Sequence, residues 1–445
     1  MDKDNLYVPS ALAAGTLGPA PGAFIFFHNS LIAEGKPATA GQGWERLKRF
    51  RLLLTNGYPT FSRERVAALH EHGSKLFFYI WFNGFYAKET RKPKPDGDWR
   101  HEVLEQHPEW LLNPDRPEQG GGAVQPAYFF DLTEPELRSF LSRVIAGHRR
   151  RTGYDGVFFD YAGRYALPES VAALHDRRHP DTPYDAAGAE FLRTPKAADP
   201  GCLIFTNQAY RAARYLLPPS DIDVTESIGT SFVWGREISL YAEGEGWIST
   251  RETFYRPWAG ETGIQRYYGD MVAKVRRHNP ELTFVAIDYV NAAWEATGGT
   301  AQHEGRAVPV YRRRTDRAAI FYGCAAARLF GLSSYSSDWY ALGYYDDEPF
   351  LLDLGRPLED APEERDEVVL RYYENGFVAL MTGERAGEFD AASPHIPEGV
   401  RAIRDLFAGR SLPATHRQCL ITIEPAISPV SGARYPAGRV YRYER

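Results

Sequence analysis

The chain has 445 residues, 43% hydrophobic, 25% charged and 14% aromatic, which supplies a large core and excludes a disordered polypeptide. A formal charge of -6 excludes a dominant nucleic-acid or acidic-membrane surface, since clustered lysine and arginine would have to supply one. Cys202, Cys324 and Cys419 are too few for a disulfide framework or a cysteine-rich zinc site and are expected in the core.

The opening MDKDNLYVPSALAAG has no basic segment leading into an apolar one, so the chain as given reads as cytoplasmic, or as secreted if a leader has been removed. No apolar run reaches the roughly 18 residues that cross a bilayer, and no membrane partner is expected. In chain order, strands are predicted at AFIFFHN (23–29), RLLLTNG (51–57), KLFFYIWFNG (75–84), DGVFFDYAG (155–163), CLIFTNQ (202–208), DIDVTES (221–227), LTFVAIDYVN (282–291) and GLSSYSS (331–337). Most are continuously apolar, as parallel strands covered on both faces are.

Helices are predicted between them. SRERVAALHEHG ends at Gly73, and TEPELRSFLSRVIAGHRR carries a capping box of Thr133 and Glu136 with Leu137, Phe140, Leu141, Val144 and Ile145 on one face. AYRAARYLL, GIQRYYGDMVAKVRRHNP and the segment 317–330 read the same way, and the runs Arg149–Arg151 and Arg312–Arg314 read as solvated helix ends. Strand then helix, repeated around the chain, predicts an α/β fold, a (β/α)8 TIM barrel over residues 20–360. Segments 85–130, 161–200 and 228–262 read as long loops on the face where barrels build sites. From 365 to 445 the pattern changes to short strands, with a turn at Asn375-Gly376, and predicts a small C-terminal β region.

The strand ends carry Asn29, Asn56, Asn83, Asp160, Asn207, Glu226, Asp288 and Asn291, the first three equally spaced. On a barrel these converge on one rim as a ring of amides and carboxylates over an apolar core, which suits a polyhydroxylated ligand. A single strand-end asparagine serves a turn equally well, so the joint pattern carries the inference. A carboxyl group after the apolar Val157-Phe158-Phe159 must be paired, face a cleft, or be costly.

Two carboxylates across a barrel mouth can cleave an acetal, one protonating the leaving oxygen while the other attacks carbon or activates water. Asp160 and Glu226, on the fourth and sixth predicted strands, are the expected catalytic pair, as nucleophile and acid/base. Asn29, Asn83, Trp81, Tyr161, Arg164, Asn207, Trp234, Asp288 and Tyr289 are the expected substrate-binding residues, the aromatic ones stacking on sugar rings. Tyr79, Tyr86, Tyr165, Trp294, Trp339 and Tyr340 are further aromatic candidates. With no His-x-His or His-Glu-x-x-His spacing, neither metal nor cofactor is expected. The expected partner is an oligo- or polysaccharide, and the competing reading is a non-catalytic carbohydrate-binding barrel.

GYDGVFFDYAG resembles the Gly-Phe/Tyr-Asp-Gly strand motif of a group of (β/α)8 glycoside hydrolases that includes the endo-α-1,4-polygalactosaminidases and hypothetical glycosidase families. IFTNQ and DVTES follow in the order of that group, and RYYENGFVALM and LLDLGRPLED resemble its C-terminal stretches. The resemblance runs from about 20 to 440. It implies Asp160 as nucleophile, Glu226 as acid/base, and retention at an α-linkage, while the segments at 86–130 and 228–262 depart from the group.

Overall fold

A computed structural model describes residues 24–28, 44–45, 47–56, 61–90, 98–244, 246–289, 292–337, 348–391, 396–414, 419–427 and 434–445. All eight predicted barrel strands form: β1 Phe24–His28, β2 Leu52–Asn56, β3 Lys75–Trp81, β4 Gly156–Asp160, β5 Leu203–Asn207, β6 Ile222–Glu226, β7 Thr283–Tyr289 and β8 Ser333–Ser337. They pair in parallel and in chain order, and β8 returns alongside β1, so the sheet closes as a (β/α)8 barrel.

The two-residue period of each strand sorts its side chains between the inside of the barrel and the surrounding helices. Phe77, Phe158 and Phe205 turn inward, their rings meeting edge to face at 5.0 and 5.2 Å. Their neighbours turn outward: Phe78 meets His148 of helix Pro135–Thr152, and Phe159 meets Phe191 of helix Tyr184–Ala198. Each buried aromatic contributes about 1.5–3 kcal/mol of burial free energy. Two residues beyond each inward phenylalanine, the same face delivers Tyr79, Asp160 and Asn207 to the rim.

Several expectations are corrected. The capping box does not form, because Pro135 opens the helix, Glu134 is its N-cap without a side-chain bond, and Thr133 is turned to Asp131 and His179. Segment 161–200 holds two helices, Glu169–Arg178 and Tyr184–Ala198, in place of a loop. The connection after β3 folds into a three-stranded antiparallel sheet (Gly84–Tyr86, Glu118–Gly120, Ala123–Phe129) and a helix, Trp99–Gln106. The connection after β6 is a hairpin, Thr230–Ala242 with Gly246–Tyr255, and a second, unforeseen hairpin follows β7, Ala292–His303 with Arg306–Thr315. The two hairpins join edge to edge as one four-stranded sheet, which places Arg312–Arg314 in a strand.

From Glu363 onward the chain forms a six-stranded antiparallel sheet in the order Glu363–Arg365, Val368–Tyr373, Gly376–Met381, Gly438–Glu444, Ala402–Asp405, Arg410–Pro413. Tyr373 pairs with Gly376, so the turn lies at Glu374-Asn375, one residue earlier than expected. This sheet packs on helix Arg317–Leu329, and Gly438 permits it, since a Cβ there would lie 2.6 Å from the Phe321 carbonyl oxygen. Buried Arg371 donates to the Leu329 carbonyl at 2.7 Å and Tyr373 to that of Arg328, satisfying carbonyls that the helix end leaves open. Cys202, Cys324 and Cys419 are free thiols in the core. Among the described residues no helix is long and apolar enough to cross a membrane.

Candidate active site

Five consecutive barrel strands, β3 to β7, each bring one polar side chain to a common point. Asn207, at the end of β5, uses its one amide nitrogen to donate to Asp160 Oδ1 at 2.7 Å and to Glu226 Oε2 at 2.6 Å. Those two oxygens therefore lie no farther apart than the two bonds laid end to end, about 5.3 Å. Tyr79 of β3 donates to Asp160 Oδ2 at 2.6 Å, and Tyr289 of β7 donates to Glu226 Oε1. The backbone N–H of Tyr161 completes the set at Asp160 Oδ1, 2.9 Å away. Tyr161 adopts a φ of 54°, in the left-handed region, and the peptide from Glu226 to Ser227 is cis.

Burial and the neighbouring Glu226 charge push the Asp160 carboxyl up to about 7, against the pull of its bonds from Tyr79, Asn207 and Tyr161. The Asp160 carboxyl therefore keeps part of its proton near neutral pH. Burial, then the adjacent carboxylates, push the phenols of Tyr79 and Tyr289 well above their ordinary range, leaving both as protonated donors.

Three buried polar groups hold the turns beyond these strand ends. Asn83 donates to the Tyr161 and Gly163 carbonyls at 2.9 and 3.1 Å and accepts from Tyr184, fixing the turn after β4. Asp223 accepts from the backbone of Ala209 and Tyr210 and from Thr206, fixing the turn after β5. Asp288 accepts at a single oxygen from the backbone of Ile228, Gly229 and Thr230, at 3.0, 2.7 and 2.9 Å, fixing the turn after β6. Burial raises both acids to about 7, their backbone bonds opposing it.

Of the residues expected from sequence, Asp160, Glu226, Asn207 and Tyr289 meet directly. Tyr161 is half-buried beside them, and Trp81, in register with Asp160, is buried and stacked on Tyr86 at 5.0 Å. Asn83 and Asp288 are fully buried and engaged by backbone. Arg164 turns to Asp176, 2.7 Å away. Asn29 and the side chain of Trp234 lie outside the described residues. Sequence reasoning treated Tyr79 only as a stacking ring and did not single out Asp223. The two-residue period from Phe77 marks the first, whereas the second sits mid-strand in DIDVTES with no terminal signal.

No family model and no curated protein matches the chain. Among solved structures it is similar to the glycoside hydrolase domain of PelA from Pseudomonas aeruginosa, 18% identical over 73% of this chain and 97% of that one, with a TM-score of 0.44. It is also similar to an alpha-amylase from Malbranchea cinnamomea (10% identity, 91% and 88% covered, TM-score 0.47). A third is the isomalto-dextranase of Arthrobacter globiformis T6 complexed with panose (12% identity, 98% and 74% covered, TM-score 0.47).

Proposed function

We propose that this chain is a glycosidase that hydrolyses an O-glycosidic bond in an oligo- or polysaccharide with retention of configuration, through Asp160 and Glu226. The carrying observation is the single Asn207 amide nitrogen bonded to both carboxylates. A spacing of about 5–5.5 Å suits a nucleophile and an acid/base, whereas inversion needs about 6.5–9.5 Å to admit a water molecule between them. A lectin-like barrel has no use for two acids forced together at such cost.

Asp160 receives two donors that cannot reverse, the Tyr161 backbone and the Asn207 amide; Glu226 receives one, from Asn207. The reaction starts from the form in which Asp160 is the carboxylate, the form its fixed donors serve, and Glu226 carries the proton to be transferred. Asp160 attacks the anomeric carbon as the glycosidic C–O bond breaks, and Glu226 gives its proton to the departing oxygen. A glycosyl ester on Asp160 results. Glu226, now a carboxylate, takes a proton from water as the water oxygen attacks the same carbon, and Asp160 is released. An α-linkage is the form implied by the family resemblance.

The test is a screen of α- and β-linked glycosides and amino-sugar polymers with the wild type, Asp160→Asn and Glu226→Gln, followed by trapping with fluorinated glycosyl fluorides. Turnover lost in both folded variants, with a glycosyl adduct on Asp160 by peptide mass spectrometry, is the expected result. Undiminished hydrolysis by both variants refutes the pair. Sugar binding without turnover by the wild type on every substrate supports the carbohydrate-binding reading instead.

A further inference from the structure

Beside the catalytic pair, two turns bring together groups that the hydrolytic mechanism leaves unused. Tyr165 lies in the turn Arg164–Ala166 after β4, and Arg211 in the turn Ala209–Ala212 after β5. The Arg211 guanidinium carbon sits 4.7 Å from the centre of the Tyr165 ring, a cation–π distance. The Tyr165 hydroxyl oxygen is buried and meets no hydrogen-bond partner among the described residues. It is also close enough to Asp160 and Glu226 for both charges to act on it.

A buried hydroxyl without a partner costs about 1–3 kcal/mol, a cost that a ligand atom would remove. Arg211 is exposed, and the groups acting on it are the tyrosines Tyr210, to whose side chain it also hydrogen-bonds, Tyr267 and Tyr165. The other arginines of these loops have carboxylate, carbonyl or phenol partners: Arg164 pairs with Asp176, Arg256 donates to the carbonyls of Ile228 and Thr262, and Arg214 to Tyr215. A solvent-facing guanidinium and an inward phenol, side by side at the edge of a glycosidase site, make a donor set for a small planar anion.

We infer that Tyr165 and Arg211 form a subsite for the carboxylate of a uronic acid unit, so that the preferred substrate is a uronate-containing glycan. The inference rests on the hydrolase reading above. The guanidinium pairs with the carboxylate while the Tyr165 hydroxyl donates to it. The same cation repels the ammonium group of a deacetylated amino sugar, turning the site away from the amino-sugar polymers that the family resemblance would suggest.

Binding tests this without turnover. Glu226→Gln protein is titrated with uronate trisaccharides of the galacto, gluco and manno series, each beside its carboxyl-reduced counterpart, and with an amino-sugar trisaccharide. At least one uronate is expected to bind about tenfold to a hundredfold tighter than its reduced partner. Arg211→Gln in that background abolishes the difference, Arg211→Glu reverses the order in favour of the amino sugar, and Tyr165→Phe narrows the gap. Equal affinity for every uronate and its reduced form, or a preference unchanged by Arg211→Gln, overturns the inference. A uronate preference in a protein whose wild type hydrolyses none of these glycans leaves the subsite standing and refutes only the hydrolase.

Discussion

Asp160 and Glu226 are bridged by one donor, the Asn207 amide nitrogen, so neither carboxylate can move without disturbing the other. Asn207→Ala removes that bond from both. The pair then loses its one shared donor, and kcat is expected to fall about a hundredfold or more with KM little changed. Asn207→Asp adds a third carboxyl group and is expected to be worse. Circular dichroism and steady-state kinetics on the two variants check the order.

The pH profile of kcat/KM is expected to have its acid limb near pH 7, where Asp160 gives up its proton. The bond from Tyr79 lowers the affinity of Asp160 for protons. Tyr79→Phe therefore moves the acid limb to higher pH, because the nucleophile must be ionised, and an unmoved acid limb would remove Tyr79 from that role.

Stability carries its own pH signature. Asp160, Asp223 and Asp288 are all raised to about 7 in the fold, from unfolded values near 4. Between those values the folded chain binds more protons than the unfolded one, so their favourable contribution is complete below about pH 4 and is lost as pH rises through about 7. Asp160→Asn should raise Tm relative to wild type at pH 8 and lose that advantage by pH 4, measured by thermal melts across the range.

Asp288 separates support from charge. Asp288→Asn keeps an oxygen for the three backbone N–H groups of residues 228–230, whereas Asp288→Ala strands them in the core. The alanine variant is expected to be less stable than the asparagine variant by about 2–4 kcal/mol and to lose most activity. Denaturant titration gives the comparison, and equal losses would mean that the carboxylate charge is what matters.

Gly323 lets helix Arg317–Leu329 approach that same acid, since a Cβ on it would lie 2.4 Å from Asp288 Oδ2. Gly323→Ala is expected to displace the carboxylate, lowering Tm and kcat together although the residue touches no substrate. Gly323→Ala combined with Asp288→Ala should cost less than the sum of the two, as a double-mutant cycle will report.

The barrel was legible because continuous apolar runs such as Val157-Phe158-Phe159 admit few alternatives to a strand buried on both sides. Asp160 was legible because it ends such a run, and Glu226 because it ends the predicted strand of DIDVTES. The hairpin Ala292–His303 with Arg306–Thr315 was not, since ATGGTAQHEGRAVPVYRRRT exposes much of both strands and carries no continuous apolar signal. In sequence Asn83 looks like a rim group, because a strand-end amide looks the same whether it meets a ligand or a turn. The difference lies in Tyr161, Gly163 and Tyr184, which only the folded chain brings to it.

The clamp at Asp288 closes on Thr230, the first residue of the long hairpin beyond β6. Everything from there outward hangs from a backbone already tied down, so the hairpin is separable from the chemistry in the way an interchangeable tool head is separable from its drive. A protein engineer seeking new specificity has a natural splice point just past Thr230.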